Sequence, residues 1–248
     1  MTDSDWLRTL EHDGCVMLRN VLDASEIAAM TSALDAAFRA DAETSESVRQ
    51  RSGQVYAVRN VLTICPDILR LWRHPRLVGA VHGVLGRDAG LVRGLFFDKP
   101  PDQTWALPWH KDLTIAVRDR PEGSPPGYSP LRRRAGVPHC EPPLEVLESM
   151  LTLRIHLDAM TEANGPLEVL PGSHRTGKQL RIDDFDPVTL HAAAGDVLLM
   201  RPLLAHCSGK SRPATGQHRR ILHLEFAAGP QLAGGLGWSE FHPVTAGA

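Results

Sequence analysis

His110 and Asp112 stand one residue apart in the segment Trp109-His110-Lys111-Asp112. If this segment belongs to a β-strand, residues i and i+2 face the same side, so the imidazole and the carboxylate point together. An imidazole and a carboxylate at this spacing can bind one divalent transition-metal ion. Because His-x-Asp occurs by chance in many proteins, the pair by itself favours an ordinary strand over a metal site.

A further histidine, His206, follows later in the chain, at the end of a predicted strand. Two histidines and one carboxylate are the facial triad of non-haem iron(II) oxygenases. The triad fills one face of an octahedron, and the open positions can bind a bidentate 2-oxo acid and dioxygen. The predicted metal ligands, which are also the predicted catalytic residues, are therefore His110, Asp112 and His206.

Two adjacent arginines, Arg219 and Arg220, follow His206 along the chain. A 2-oxoglutarate that chelates iron by its 2-oxo acid end has a second carboxylate, which the protein must bind. Arginine suits this role because its guanidinium is always charged and can bind a carboxylate through two hydrogen bonds. Neighbouring strand residues face opposite sides, so we expect one arginine to point inward and the other outward. Thr152 and Ser208 are hydroxyl-bearing candidates for further contacts with this cosubstrate.

Residues 150–158 alternate strictly between apolar and polar side chains, which is typical of a half-buried strand. Arg154 and His156 share the polar face and, together with Trp109, are candidate substrate-binding residues. The guanidinium of Arg154 suits an anionic group. The alternative is that the polar residues of this face pair with one another or with Asp158.

The first ninety residues are predicted to form a mostly helical layer that supports the site and carries no chemistry of its own. Asp23 and Glu26 have the spacing of a capping box at the start of one helix. A later helical stretch is expected to break at His74-Pro75 and to end near Gly86.

From residue 91 onward the sequence changes to short strands separated by turns, which predicts a sandwich or barrel. The predicted strands are 91–97, 109–117, 150–158, 167–170, 196–200, 203–207 and 220–226. Residues 118–143 are rich in proline and carry the triplet Arg132-Arg133-Arg134, so we expect an irregular loop that acts as a lid. A basic lid suits an anionic substrate, although a solvated charged loop is the more ordinary interpretation.

The composition is that of a globular protein, since 42% of the 248 residues are hydrophobic and 23% are charged. A net charge of -2 gives no reason to expect a nucleic-acid partner.

No apolar run approaches the roughly 20 residues of a membrane span, and the polar, acidic start is unlike a signal peptide. The four cysteines form no CxxC pair, so we expect reduced thiols in a cytoplasmic protein. The sequence gives no indication of the oligomeric state.

From about Glu11 to Phe226 the chain resembles the phytanoyl-CoA dioxygenase-like family of iron(II)/2-oxoglutarate oxygenases. The segments that carry the resemblance are Asp13-Gly14-Cys15-Val16-Met17-Leu18, Trp109-His110-Lys111-Asp112, Glu162-Ala163-Asn164-Gly165-Pro166-Leu167, Pro171-Gly172-Ser173-His174, His206-Cys207-Ser208-Gly209 and Arg219-Arg220.

The resemblance implies a mainly β fold, a double-stranded β-helix (a jelly-roll or cupin-like barrel) supported by N-terminal helices. The length of 248 residues suits one large domain or two small ones, and we expect a single domain over residues 1–248 with a helical layer at 1–90, the barrel core at 91–230 and a tail at 231–248. The resemblance also implies iron(II) bound by the three predicted ligands, with 2-oxoglutarate and dioxygen as cosubstrates. Arg219 aligns best with the arginine that anchors 2-oxoglutarate in the family.

The implied reaction is hydroxylation of a small organic substrate, anionic or not, with release of succinate and carbon dioxide. Asp112 favours hydroxylation because family members that halogenate have a small residue at that position. Two alternatives remain open at this point. One is a metal-dependent enzyme of another type, such as an isomerase, on the same barrel, and the other is a non-catalytic ligand-binding jelly-roll protein.

Overall fold

The computed structural model describes residues 3–41, 46–51, 54–101, 105–120, 123–212 and 215–245. The α-helices are α1 (Asp3–Asp13), α2 (Ala24–Asp41), α3 (Val61–Ile64), α4 (Ile68–Leu71), α5 (Pro75–Leu85) and α6 (Leu144–Glu148), and 3-10 turns lie at Ser173–Thr176 and Ala233–Gly235. The strands are β1 (Cys15–Leu18), β2 (Val48–Arg51), β3 (Gln54–Val58), β4 (Gly90–Phe97), β5 (Leu107–His110), β6 (Ile115–Ala116), β7 (Arg132–Arg134), β8 (Val137–Cys140), β9 (Met150–His156), β10 (Leu167–Val169), β11 (Val188–Leu190), β12 (Val197–Met200), β13 (His206–Ser208), β14 (Ile221–Ala227) and β15 (His242–Pro243).

Two antiparallel sheets form the barrel. The main sheet has the order β1-β12-β9-β14-β4-β3-β2, with β15 also paired to β4, and the second sheet has the order β11-β10-β13-β5. Apolar residues of both sheets, among them Leu198 and Met200 of β12 and Leu167 and Val169 of β10, pack into one buried cluster between them. Two facing antiparallel sheets with this strand order are the predicted jelly roll.

Helices cover the outer face of the main sheet, as the sequence predicts. Leu151, Leu153 and Ile155 of β9 are fully buried in the cluster that the helices and this sheet share. The capping box at α2 is formed, because the Asp23 amide donates to the Glu26 carboxylate over 2.8 Å and the Glu26 amide donates to the Asp23 carboxylate over 2.9 Å. No helix among the described residues has the length and apolar composition that spanning a bilayer requires.

The N-terminal segment contains strands that the prediction of a helical layer did not include. β1 forms one edge of the main sheet by pairing with β12, and β2 and β3 form the other edge. These strands have only four or five residues each, too few for apolar periodicity to separate strand from helix. At the β1 edge the amides of Val21 and Leu22 donate to the carbonyl of Gly195. Position 195 requires glycine, because a Cβ atom there would lie 2.2 Å from the carbonyl oxygen of Leu22.

Two predictions for residues 109–143 are wrong. The strand expected over 109–117 is two strands, because β5 ends at His110 and the backbone leaves the ladder before β6 begins. The loop expected over 118–143 contains β7 and β8, which pair with β6 as a small separate sheet. Ala135 and Gly136 take positive φ values of 49° and 77° at the hairpin turn. An Ala-Gly pair is a weak turn signal, so the basic triplet before it was not predicted to be a strand.

The last predicted strands shift by a few residues. The strand expected at 203–207 begins only at His206, and β11, which closes the edge of the second sheet, was not predicted. The polar residues around β11 are largely exposed, so its sequence lacks the alternation that identified the other strands.

Candidate metal and dicarboxylate site

The two segments with predicted metal ligands lie on neighbouring strands. β5 and β13 are antiparallel, and His110 and His206 are direct partners across them. Residues that lie opposite each other on paired strands face the same side of the sheet, and the centroids of the two imidazole rings are 4.2 Å apart. Asp112 follows β5, where its amide donates to the carbonyl of Pro202 over 3.0 Å. One ligand atom from each of these three side chains lies within 4.8 Å of the others.

Hydrogen bonds determine which nitrogen of each histidine is available. Nδ1 of His110 donates to the carbonyl of Pro108 over 2.8 Å, and Nδ1 of His206 donates to the carbonyl of Leu204 over 2.9 Å. Because a carbonyl only accepts, Nε2 of each ring is left with a free lone pair. These Nε2 atoms lie 3.9 and 3.7 Å from oxygens of the Asp112 carboxylate, which is too far for a hydrogen bond and suits ligands around one ion.

The protonation states also suit a metal ion. Burial lowers the pKa of His206 to about 4, which keeps this ring neutral near pH 7. Burial acts to raise the pKa of Asp112, but the rings of His206, His223 and His110 outweigh it and bring the pKa to about 2. The side chain of His206 is 2% exposed, whereas those of His110 and Asp112 are 30% and 27% exposed, so the site opens on one side.

One 3-10 turn holds both metal-binding segments. The hydroxyl of Ser173 accepts from the amide of Ala205, directly before the last histidine, over 2.9 Å. The ammonium of Lys111, between the first two ligands, donates to the carbonyls of Ser173 and Gly177 at 2.8 and 2.7 Å and to the hydroxyl of Thr176 at 2.9 Å. The Pro-Gly-Ser-His segment therefore connects the two ligand-bearing segments, which lie far apart in the chain.

Three buried cationic side chains, those of Lys99, Arg154 and Arg219, lie close together inside the barrel, at 0%, 7% and 3% exposure. Burial, with the repulsion of its neighbours, lowers the pKa of Arg219 to about 9 and that of Lys99 to about 7. Within the described residues the Nε atoms of Arg154 and Arg219 have no hydrogen-bond partner. Lys99 donates to the Ser208 hydroxyl over 3.0 Å. Buried cations without an anionic partner are unfavourable, so this cluster is suited to an anion.

Arg220 faces the opposite way from Arg219. Its Nε and Nη2 atoms each donate to a carboxylate oxygen of Asp158 over 2.8 Å, and its backbone amide donates to the same group. Asp158 is thus the partner of Arg220, and no hydrogen bond joins it to Arg154 among the described residues. One arginine of the pair points inward and one outward, as the alternation of a strand requires.

The Asn-Gly-Pro turn fixes the entry to β14. The buried amide of Asn164 donates to the carbonyl of Ala159 over 2.8 Å and to that of His218, one residue before Arg219, over 3.3 Å. Gly165 has a φ of 70°, and a side chain there would meet the carbonyl of Gly209 at 2.4 Å. This turn therefore contacts both the segment that leaves β13 and the segment that enters β14.

Two of the other candidates lie inside the barrel beside Arg154. The hydroxyl of Thr152 and both ring nitrogens of His156 have no hydrogen-bond partner among the described residues. Burial, with the nearby guanidinium of Arg154, lowers the pKa of His156 to about 3, so this ring is neutral near pH 7. These groups are free to contact a bound molecule.

Trp109 lies next to a metal donor in the sequence but on the other face of its strand. It precedes His110 on β5, and strand alternation places its side chain on the opposite face. Its role as a substrate contact therefore stays a prediction.

Four functional candidates were missed from the sequence: Lys99, Arg93, His223 and Glu225. The signal for the last two was present, because β14 alternates apolar residues with His223 and Glu225 in the sequence Ile-Leu-His-Leu-Glu-Phe-Ala. Lys99 follows β4 directly and precedes two prolines, and nothing in that context marks a buried ammonium.

A family model described as phytanoyl-CoA dioxygenase (PhyH) matches residues 10–221 of the chain. Two curated relatives are the ectoine dioxygenase of Bordetella parapertussis, 27% identical over 176 residues, and the L-proline trans-4-hydroxylase of Streptomyces griseoviridis, 27% identical over 114 residues. The matches cover 69% and 46% of this chain and 49% and 33% of those proteins. The chain thus spans about half the length of the ectoine dioxygenase that it matches.

A solved structure confirms the fold. The crystal structure of EctD from S. alaskensis with 2-oxoglutarate and 5-hydroxyectoine superposes with a TM-score of 0.67 at 19% sequence identity. The superposition covers 92% of this chain and 78% of that one.

Proposed function

Because the chain belongs to the phytanoyl-CoA dioxygenase family, we propose that it is a non-haem iron(II)- and 2-oxoglutarate-dependent dioxygenase that hydroxylates a small organic substrate. The observation that carries this proposal is the donor set of His110, Asp112 and His206, with both Nε2 atoms free, in the same barrel as the buried guanidinium of Arg219, whose Nε has no hydrogen-bond partner among the described residues. The ligand set fits iron(II), and the buried cations fit a dicarboxylate.

The roles of individual residues follow from their positions. His110, Asp112 and His206 would hold the metal on one face, and the side-chain exposure of the first two leaves room for further ligands. Arg219 would anchor the distal carboxylate of 2-oxoglutarate, supported by Lys99. Bound iron(II) and 2-oxoglutarate supply the oxidative chemistry, with succinate and carbon dioxide as the other products.

We also infer a single domain over residues 1–248 and a cytoplasmic location. β1 and β15, from the two ends of the described chain, pair within the main sheet, which supports one domain. The four cysteines are free, which supports a reducing compartment.

The test is the visible difference spectrum of the protein with iron(II) and 2-oxoglutarate in the absence of air. The chelated 2-oxo acid gives a weak metal-to-ligand charge-transfer band. We expect this band in the wild type and its loss in His206→Ala. In Arg219→Ala we expect the 2-oxoglutarate concentration at half-maximal absorbance to rise about 10–100-fold, because a charge-assisted pair is lost.

Arg220→Ala is the matched control, since Arg220 is paired with Asp158 and faces away from the interior. It should retain the wild-type midpoint. A band that is absent from the wild type at saturating iron and 2-oxoglutarate would contradict the dioxygenase proposal and favour an isomerase or a binding protein. Equal shifts in Arg219→Ala and Arg220→Ala would contradict the assignment of Arg219.

A further inference from the structure

Three polar side chains of β4 and β14 form a hydrogen-bonded group inside the barrel. Arg93, Glu225 and His223 are 8%, 3% and 3% exposed. Arg93 and Glu225 are direct partners across the two strands, and the guanidinium binds the carboxylate through two hydrogen bonds, Nε to Oε2 over 2.8 Å and Nη2 to Oε1. Nε2 of His223 lies 3.3 Å from the same Oε1 atom.

This group lies next to the metal donors. His223 pairs with Arg154 across β14 and β9, and Arg154 faces the barrel interior, so the imidazole faces it too. Both His223 and Arg93 are close enough to the Asp112 carboxylate to contribute to its low pKa. The ring of Phe97 packs edge-on against the His223 imidazole at 6.2 Å.

The hydrogen bonds leave one acceptor and one donor unused. Although burial acts to raise the pKa of Glu225, Arg93 and His223 outweigh it, so the carboxylate is ionised and only accepts. In the neutral ring, Nε2 of His223 therefore donates and Nδ1 becomes an acceptor. This Nδ1 atom is buried and has no partner among the described residues. The guanidinium of Arg93 uses Nε and Nη2 for Glu225, so Nη1 is the nitrogen left to bind a further group.

A cavity of about 250 Å³ borders Arg93. Asn60, Asp41 and Glu240 are also among the lining residues, so acidic residues and Arg93 border the same space. The cavity therefore borders the Arg93 end of the hydrogen-bonded group.

The charge balance argues against a substrate with a net negative charge at this wall. Glu225 already neutralises Arg93, whereas Arg154 and Arg219, whose Nε atoms have no hydrogen-bond partner among the described residues, lie in the pocket that the proposed 2-oxoglutarate would use. A molecule with one acidic and one N–H group would match the free donor of Arg93 and the free acceptor of His223.

We propose that Arg93, Glu225 and His223 orient the substrate beside the metal, and that this substrate is a small amino-acid-like zwitterion. Its carboxylate binds Arg93 and its N–H group donates to Nδ1 of His223. The inference rests on the proposed function and names the substrate class for that site. That one relative is an L-proline hydroxylase agrees with this class.

The test compares zwitterions with analogues that lack one charge on the same carbon skeleton. The probes are L-proline with pyrrolidine and cyclopentanecarboxylate, L-leucine with 3-methylbutylamine and 4-methylpentanoate, and L-phenylalanine with phenethylamine and 3-phenylpropanoate. Binding is measured by anaerobic calorimetry on protein whose iron(II)–2-oxoglutarate absorption band has first been recorded. We expect at least one zwitterion to bind about tenfold more tightly than both of its analogues.

Variants locate the contact. His223→Phe, which removes the acceptor but fills the space, should abolish the preference for the zwitterion, and His223→Gln, which restores an acceptor oxygen, should regain part of it. His191→Gln, at an exposed histidine paired with Glu162, should behave as wild type. Melting temperatures show whether each variant is folded.

A zwitterion that binds no more tightly than its analogues, the absence of any zwitterion binding, or an unchanged preference in His223→Phe would overturn the inference. A sample that shows no absorption band would instead count against the proposed function, so the two failures are distinguishable.

Discussion

At the scale of single residues, the site combines side chains that water would normally stabilise with a barrel interior that excludes water. His156, Arg154 and Arg219 are buried beside one another, and none is paired with a carboxylate through a hydrogen bond among the described residues. The protein without ligands therefore contains electrostatic repulsion that an anion would relieve. A site that binds a charged molecule is commonly less stable when empty, because the groups that bind the ligand are the ones that burial destabilises.

His156 gives a pH dependence of stability. Burial lowers its pKa from 6.5 to about 3, so the folded state resists protonation, and stability present above pH 6.5 is lost as the pH falls toward 3. Between about pH 7 and pH 5, the wild-type apoprotein should lose about 2 kcal/mol more unfolding free energy than His156→Gln. Urea unfolding at the two pH values measures this difference.

His191→Gln is the control for this prediction, because His191 is exposed and replacing it should leave the pH dependence as in the wild type. Parallel stability profiles for wild type and His156→Gln would show that the ring is not buried in its neutral form.

At the scale of elements, the convergence of His110, Asp112 and His206 was predictable because each lies in a segment with its own sequence signal, even though the predicted strand was wrong. Asp112 reaches the site from the turn after β5, where its amide bonds to Pro202, and not from a continuous strand. The i, i+2 argument thus selected two side chains that the structure does bring together, although it assumed a continuous strand. The connection through Lys111 and Ser173 could not be predicted, since it joins segments that only tertiary packing brings together.

Lys111→Met tests this connection. The variant loses three hydrogen bonds to the 3-10 turn, so the turn no longer fixes the segment between His110 and Asp112. We expect the affinity for manganese(II), measured by calorimetry on the apoprotein, to fall about 10–100-fold, as when other groups that position metal ligands are removed.

The matched control is Lys178→Met, whose ammonium contacts Pro142 and Glu141 away from the metal donors. It should bind manganese(II) as the wild type does. If both lysine variants bound the metal with unchanged affinity, the turn would have no part in holding the ligands.

At the scale of the whole molecule, the site unites both sheets of the barrel. His110 and His206 belong to the second sheet, whereas Arg154 lies in the main sheet and Arg219 directly precedes its strand β14. The family resemblance predicted this barrel, but composition and periodicity indicated only a sandwich or barrel of short strands. The short edge strands β1, β2 and β11 were not predictable, because pairing with a neighbour decides their conformation more than their own residues do.

A ligand that contacts both sheets should stabilise the fold as a unit. With manganese(II) present and 2-oxoglutarate at about 100 times its dissociation constant, the unfolding free energy should rise by about 2.7 kcal/mol. For a chain of this length that corresponds to about 5–10 °C in melting temperature, measured by calorimetry.

Glutarate, which lacks the 2-oxo group, should give a smaller rise, and Arg219→Ala should give little at the same concentration. The same increase with and without the metal would mean that 2-oxoglutarate does not bind the metal ion.

The direct pairing of His110 with His206 also makes the metal site a check on strand assembly. Side chains alternate along a strand, so a slip of one residue between β5 and β13 would turn one imidazole to the other side of the sheet. A chain that paired its strands out of register would then keep all three ligand residues and still hold no metal. Metal occupancy in a freshly refolded sample would therefore report the fraction of molecules that reached the correct register.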